Sequence, residues 1–146
     1  MSEAVMPAKV VEVIKYLELD ALQRPLLAKF YRAHGSKMRG ANQTSAFVAR
    51  APQIVAALCL TTLPEGHWLT GLLVAPAYRN QGIAHNLLHT VRCNTEGKIW
   101  LFCKPELLVF YNASGYEPAL ELPHSLQEKL QRYQQTKSLI ALVNQQ

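Results

Sequence analysis

The fold is decided by residues 68–88, which read WLTGLLVAPAYRNQGIAHNLL. Residues 68–74 are mostly apolar, which predicts a buried strand, and Pro76 marks the loop that follows. After Gly82, apolar residues recur at helical spacing and predict one buried helix face: Ile83, Ala84, Leu87, Leu88 and Val91. The segment therefore predicts a strand, a glycine-containing loop and a helix in direct succession.

This succession is suited to binding a phosphate group. The first backbone N–H groups of a helix have no partners within the helix, and the helix dipole adds partial positive charge there. Gly82 has no Cβ, so a bulky anion can approach the backbone closely. Arg79 stands three residues earlier and can add a charge-assisted hydrogen bond.

Two motifs in this order give the chain a resemblance to a known family. Residues 79–84, Arg-Asn-Gln-Gly-Ile-Ala, are similar to the R/Q-x-x-G-x-G/A signature of the GNAT superfamily of N-acetyltransferases. The preceding LLVAP and residues 110–116, Phe-Tyr-Asn-Ala-Ser-Gly-Tyr, strengthen it, since the latter resemble the family's F-Y-x-x-x-G-F/Y segment. The resemblance covers residues 45–118, and looser patterning extends it to both ends.

The resemblance implies a fold and a cofactor site. The expected fold is α/β, a mixed and mostly antiparallel sheet flanked by helices, with a central parallel strand pair splayed at the acyl-CoA site. In the family the loop binds the pyrophosphate of acetyl-CoA, and backbone groups of the preceding strand hold the pantetheine arm. The implied cofactor-binding residues are Leu72, Leu73, Val74, Arg79, Asn80, Gln81, Gly82, Ile83 and Ala84.

Tyr111 is the implied catalytic residue. It matches the tyrosine that serves many family members as general acid, and a neutral phenol can donate a proton to a departing thiolate. A buried tyrosine that packs a helix against the sheet is the alternative role for this position. The family requires no metal.

Composition limits the class of protein. A chain of 146 residues with 49% hydrophobic residues suits one domain, residues 1–146, without a membrane span. The N-terminus lacks the pattern of a signal peptide, and three cysteines without C-x-x-C spacing predict reduced, buried thiols in a cytoplasmic protein. A net charge of +5 suits a polyanion such as coenzyme A, and scattered basic residues make nucleic acid an unlikely partner. The sequence leaves a homodimer open.

The N-terminal half predicts a short helix and an antiparallel meander. We expect a first strand at Lys9–Tyr16 and a helix that begins near Pro25 and ends at Gly35. Strands at Ser45–Arg50 and Ile54–Thr61 follow, and Pro64 begins the turn into the strand at Trp68.

The C-terminal half predicts alternating strands and helices. A strand at Ile99–Cys103 should lie parallel to the strand at Trp68, because a helix connects the two in a right-handed crossover. A helix at Glu106–Ser114 and a strand at Tyr116–Leu122 follow. Ser125 and Glu128 predict a capping box for a helix to about residue 135, before a last strand at Leu139–Val143.

No general base stands out in the sequence. His67 and Glu65 lie near the start of the Trp68 strand, where the family often places a carboxylate, but a solvent-exposed turn histidine is the preferred interpretation. His85 and His89 have metal-ligand spacing on the helix without an evident third ligand, so we interpret them as packing or surface residues. Lys37 and Arg39 lie where the family's acceptor pocket is often lined, and would favour an acceptor with an acidic group.

The predicted function is an acetyl-CoA-dependent N-acetyltransferase. The acetyl group would pass directly to a primary amine in a ternary complex, because no Ser-His-Asp or Cys-His arrangement is visible for a covalent intermediate. The alternative is an acyl-CoA-binding sensor or interaction module with little or no turnover, which the missing base favours.

Overall fold

A single sheet of seven strands contains most of the core, in a computed structural model that describes residues 13–38 and 44–145. The strands are β1 (Lys15–Glu18), β2 (Thr44–Arg50), β3 (Ile54–Leu63), β4 (Gly66–Val74), β5 (Lys98–Cys103), β6 (Glu117–Pro118) and β7 (Ile140–Asn144). Their order across the sheet is β1-β2-β3-β4-β5-β7-β6. Every neighbouring pair is antiparallel except β4 and β5, which are parallel.

Helices cover both faces of this sheet. They are α1 (Arg24–Ala33), α2 (Ile83–Cys93), α3 (Leu108–Asn112) and α4 (His124–Gln134), with 3-10 turns at Ala21–Gln23, Pro76–Tyr78 and Pro105–Leu107. The buried residues of α1 and α4 pack on one face, and those of α2 and α3 pack on the other. Within residues 13–38 and 44–145, none of the helices has the length and apolar character that crossing a membrane requires.

The central strands are apolar on both faces because helices cover both. In β2, Phe47 faces α2, whereas the next residue, Val48, faces α1. The α2 helix contributes Leu87, Leu88 and Val91, each at most 1% exposed. Burial of one such side chain stabilises the fold by about 1.5–3 kcal/mol, so α2 is firmly fixed against the sheet.

The parallel pair opens at its C-terminal end, as predicted. Pairing between β4 and β5 is limited to three positions and ends at Trp68 opposite Trp100. β4 continues to Val74 without a partner on that side, while β5 continues beside β7 to Cys103. The gap lies at the carboxyl ends of two parallel strands, where ligands enter such sheets.

The predicted elements between Pro25 and Cys103 are confirmed to within one or two residues. The exception at the N-terminus is β1, which the structure places at Lys15–Glu18, so it shares only two described residues with the predicted strand. Of the rest of that predicted strand, Val13 and Ile14 are not part of a strand, and residues 9–12 lie outside the described residues. Gly35 follows α1 with a φ of 71°, which agrees with its predicted left-handed cap.

The predicted capping box at Ser125 and Glu128 is wrong. The N-cap of α4 is Pro123, two residues before Ser125, and the carbonyl of Pro123 closes the first turn by accepting from the N–H groups of Leu126 and Gln127. Proline fixes φ near the helical value, which favours a helix start beside it. The Glu128 carboxylate instead lies 3.3 Å from the ring of His124.

Two further predictions need correction. The strand predicted at Tyr116–Leu122 is limited to Glu117–Pro118, because proline has no N–H group to continue a ladder. The helix predicted at Glu106–Ser114 is a 3-10 turn followed by the short α3. Of the three free thiols, Cys59 and Cys103 are buried as expected, but Cys93 is exposed.

Candidate active site

A bulge in β4 forms the floor of the candidate site. Leu73 pairs with Ala57 and Thr70 pairs with Cys59, so Gly71 and Leu72 together face the single residue Leu58. Gly71 has a φ of 70°, a conformation that side chains with a Cβ rarely adopt. Its carbonyl accepts a hydrogen bond of 2.8 Å from the hydroxyl of Tyr31, a residue of α1 that is fully buried. The bulge is therefore held by a side chain from the opposite face of the sheet.

The loop between β4 and α2 is shaped by backbone conformation. Asn80 and Gly82 both have positive φ values, 63° and 78°, which turn the chain into the helix. A Cβ added to Gly82 would meet nothing within 4 Å, so the loop borders open space at this point. No side chain caps the start of α2, and its first N–H groups are available to an anion. The residues fit a phosphate group in this position.

The side chains of Arg79 and Gln81 in the loop differ in their orientation. The Nε of Arg79 donates to the carbonyl of Val74 at 3.0 Å, which ties the loop to the end of β4. The Gln81 amide donates to the carbonyl of Ala77 at 3.3 Å, and Gln81 does not line the cleft described next.

A cleft of about 580 Å³, here called the loop cleft, runs from the end of β4 to α3. Its walls are Leu72, Leu73, Val74, Tyr78, Arg79, Asn80, Gly82, Ile83, Ala84, His85, Leu107, Phe110 and Tyr111. Eight of the nine residues that the sequence predicts to bind the cofactor lie in this lining, and so does Tyr111. The predicted cofactor residues and the predicted catalytic residue thus come together in one cleft.

Tyr111 is well placed to stay protonated. The residue is only 8% exposed, and its ring packs edge-on against Phe110 and Tyr116, with centroids 5.0 and 6.0 Å apart. Burial, with a smaller effect from the neighbouring Cys103, raises the pKa of Tyr111 to about 12. A phenol with this pKa is neutral at physiological pH and can donate a hydrogen bond into the cleft.

The two candidate bases, His67 and Glu65, lie far from the residues of β4 that line the loop cleft. His67 is the second residue of β4, five positions before Leu72, which corresponds to roughly 16 Å along a strand. It is not a solvent-exposed turn residue as predicted, because its ring is half-buried and Nε2 lies 3.0 Å from the carbonyl of Glu96. Glu65 is exposed in the preceding hairpin turn.

The two helix histidines have different surroundings. The Nδ1 of His85 lies 2.7 Å from the hydroxyl of Ser114, and its ring stacks on Phe110 at 4.4 Å. His89 is exposed, with Nε2 3.4 Å from the thiol of Cys93. Across residues 13–38 and 44–145, no three His, Cys, Asp or Glu side chains are grouped so as to hold a metal ion.

A second cleft, here called the aromatic cleft, lies beside residues 68–71 of β4, directly before the residues of β4 that line the loop cleft. It was not predicted from the sequence. It has a volume of about 710 Å³, and its walls are Met38, Thr44, Cys59, Thr61, Trp68, Leu69, Thr70, Gly71, Phe102, Lys104, Tyr133, Lys137 and Leu139. Lys37 is exposed and does not belong to this lining, although its neighbour Met38 does. Arg39 lies outside the described residues.

One signal in the sequence could have indicated part of this arrangement. An isolated glycine inside a strand pattern, as at Gly71, is typical of a bulge or of a close approach to the backbone. The rest of the aromatic cleft comes from residues far apart in the chain, for which no local pattern exists.

The comparison with known protein families identifies the class of protein to which this fold and this loop belong. Residues 42–118, more than half of the chain, match the model described as an acetyltransferase (GNAT) domain. The chain therefore belongs to the GNAT acetyltransferase family. A comparison with curated protein sequences gives no match.

Solved structures of this family share the fold. A GNAT-family acetyltransferase from Staphylococcus aureus Mu50 superimposes with a TM-score of 0.63 at 18% identity, covering 91% of this chain and 99% of that one. One from Elizabethkingia anophelis with acetyl-CoA bound gives 0.61 at 14% identity, over 91% and 98%. N-acetylglutamate synthase from Neisseria gonorrhoeae, complexed with coenzyme A and N-acetylglutamate, gives 0.65 at 14%, over 91% of this chain but 35% of its own.

Proposed function

We propose that the protein transfers an acetyl group from acetyl-CoA to a primary amine by direct attack in a ternary complex. The observation that supports this most strongly is the loop cleft, in which eight predicted cofactor-binding residues and Tyr111 share one lining. Family membership and a relative solved with acetyl-CoA bound support the same cofactor.

The loop is proposed to hold the pyrophosphate. The N–H groups at the start of α2, which no side chain caps, would donate hydrogen bonds to the pyrophosphate, and Arg79 would add a positive charge. Gly82 leaves space for the anion to approach the backbone. The pantetheine arm is proposed to lie along the unpaired edge of β4, at Leu72, Leu73 and Val74, where backbone groups have no strand partner on the β5 side. An N–H group there can stabilise the negative charge that develops on the thioester oxygen.

Tyr111 is proposed to act on the leaving group. The amine nitrogen forms a bond to the acetyl carbon, the carbon–sulfur bond breaks, and the sulfur leaves as a thiolate that the Tyr111 hydroxyl can stabilise. The amine must lose a proton, because a primary ammonium has a pKa of about 10.4 in solution. Among the described residues lining either cleft, no Asp or Glu is present to accept that proton, and the His85 imidazole in the loop cleft has its Nδ1 2.7 Å from the Ser114 hydroxyl.

The lack of a carboxylate base in these linings supports the second candidate, an acyl-CoA-binding module with little or no turnover. Release of coenzyme A thiol from acetyl-CoA, measured with a panel of small amines, amino acids, polyamines and peptides, separates the two. Acetyl transfer to one class of amine well above background hydrolysis supports the enzyme. Tight acetyl-CoA binding by calorimetry without transfer to any amine would support the module and contradict the enzyme.

A further inference from the structure

We propose that the aromatic cleft binds the acceptor, and that the acceptor is a small amine with a carboxylate and an apolar or aromatic body. This inference rests on the proposed acetyl transfer and adds to it the class of substrate. It depends on the charge, the ring arrangement and the position of the aromatic cleft.

The aromatic cleft and the loop cleft are lined by consecutive residues of one strand. Residues 68–71 of β4 line the aromatic cleft, and residues 72–74 line the loop cleft. The change occurs between Gly71 and Leu72, within the bulge, where β5 no longer pairs with β4. An amine held in the aromatic cleft can therefore reach a thioester held in the loop cleft through the gap between the two strands.

The charge of the aromatic cleft is positive. Lys104, directly after β5, and Lys137, after α4, both line it, and the Nζ of Lys129 lies 5.4 Å from the ring centre of Trp68. Glu106 is close to Lys104 in sequence but forms no ion pair with it. Neither Lys104 nor Lys137 forms an ion pair with a described carboxylate. Lysines without carboxylate partners favour an anionic ligand.

Three rings from separate elements form an apolar wall. Phe102 of β5 lies between the other two, with its ring centre 5.5 Å from that of Trp68 and 6.2 Å from that of Tyr133. Lys137 lies 5.9 Å from the ring centre of Tyr133, so charge and apolar surface are adjacent. A cleft with mostly apolar walls and a few placed charges is typical of a small-molecule site.

The same lysines also affect the pKa of the amine, which must lose a proton before it can attack. Positive charges near an ammonium disfavour its charged form and lower its pKa, which increases the fraction of neutral amine. The carboxylate of the acceptor offsets this repulsion for binding and lets the acceptor enter the cleft. An amine without an acidic group, such as the side chain of a lysine in a basic peptide, is repelled with nothing to offset it.

The test compares amino acids with the amines that lack only the carboxylate, such as phenylalanine with phenethylamine, and leucine with isopentylamine. Thiol release gives kcat and KM for each member of a pair. We expect the carboxylate-bearing member to be the better substrate by at least about tenfold in kcat/KM, the factor expected for one charge-assisted hydrogen bond. Here kcat/KM is calculated on the concentration of neutral amine, because an α-amino group has a lower pKa than a simple alkylamine. The variant with Lys104→Gln and Lys137→Gln should raise the KM of that member about tenfold or more, with unchanged acetyl-CoA affinity.

Lys98→Gln is the matched control. It removes the same charge from an exposed lysine at the other end of β5, roughly 20 Å from Lys104, and should leave the KM unchanged. Equal activity with both members of each pair, or an equal effect of Lys98→Gln, would overturn the acidic acceptor while leaving acetyl transfer intact. Absence of thiol release with every amine would overturn both proposals.

Discussion

The hydroxyl of Tyr111 can be removed with little change to its surroundings, by Tyr111→Phe. Phenylalanine keeps the ring contacts with Phe110 and Tyr116 and loses only the oxygen. Among the described residues, the buried side-chain polar atoms without a partner are His67 Nδ1, Trp68 Nε1, Arg92 Nε and the Tyr116 hydroxyl. The Tyr111 hydroxyl is not one of them, so its loss should not change the free energy of unfolding by more than about 1 kcal/mol.

The size of the kinetic effect follows from two pKa values. A thiol has a pKa of about 8.5, whereas the pKa of Tyr111 is raised to about 12. Complete proton transfer to the thiolate is therefore uphill by about 5 kcal/mol, at 1.36 kcal/mol for each pKa unit. Tyr111 should instead act by donating a hydrogen bond to the departing sulfur. Such a bond contributes about 1.5–3 kcal/mol, so kcat should fall about 10–100-fold.

The pH dependence of kcat follows from the same raised pKa. A tyrosine with an ordinary pKa of about 10 would produce an alkaline decline in kcat near that pH. Since the pKa of Tyr111 is about 12, kcat of the parent should not decline up to about pH 11 because of this residue. The pH profiles of kcat for the parent and for Tyr111→Phe should therefore have the same shape over this range. Both proteins should become faster as the amine loses its proton.

The assay is thiol release with a confirmed acceptor, and Tyr116→Phe is the matched control. Tyr116 is 1% exposed, does not line the loop cleft, and has a buried hydroxyl without a partner. Its replacement should leave kcat unchanged and leave stability equal or slightly higher. Unchanged kcat in Tyr111→Phe, an equal loss in Tyr116→Phe, or an alkaline limb near pH 10 that the variant lacks would refute the reasoning.

Three more perturbations test the loop, the bulge and the buried tyrosines. Gly82→Glu should weaken coenzyme A binding well over tenfold by calorimetry, and Gly35→Glu, at a similar φ of 71° and also in open space, should not. Gly71→Ala would bring a Cβ within 3.0 Å of the buried Tyr31 hydroxyl and within 2.8 Å of the flexible Met38 methyl group, so its melting temperature should fall below that of Gly97→Ala, where a Cβ meets nothing. Burial raises the pKa of Tyr31, Tyr111 and Tyr116 in the folded protein. The free energy of unfolding, measured in urea, should therefore decrease from pH 10 upward by about 1.4 kcal/mol per pH unit for each tyrosine. A free energy of unfolding that stays constant from pH 9 to 11 would contradict this.

The loop cleft could be predicted from the sequence because its residues are close together in the chain. The apolar strand, Gly82 and the helical spacing after it are local signals. The parallel pairing of β4 with β5 follows from the helix that connects them, and the splay of this pair was implied by the family resemblance. Local signals were also the source of the errors. The spacing of Ser125 and Glu128 fits a capping box, but Pro123 already starts the helix, and Pro118 ends a strand that apolar content alone would extend.

The aromatic cleft could not be predicted because its side chains meet only through the fold. Trp68, Phe102 and Tyr133 come from β4, β5 and α4, and each has a plausible role as an ordinary core residue in its own element. The charges show the same limit. Lys37 was the candidate for binding an acidic group, whereas the structure brings Lys104 and Lys137 to the cleft and leaves Lys37 outside its lining.

The two clefts also suggest how transfer proceeds without a dedicated base. Lysines around the aromatic cleft increase the neutral fraction of the amine, and the buried Tyr111 stays protonated for the thiolate. Neither effect requires a carboxylate or histidine at the opening of the strands. In this scheme the proton leaves the amine for solvent before attack, so kcat should rise with pH through the pKa of the bound amine. Because the lysines lower that pKa, neutralising Lys104 and Lys137 should shift the rise to higher pH as well as weaken binding.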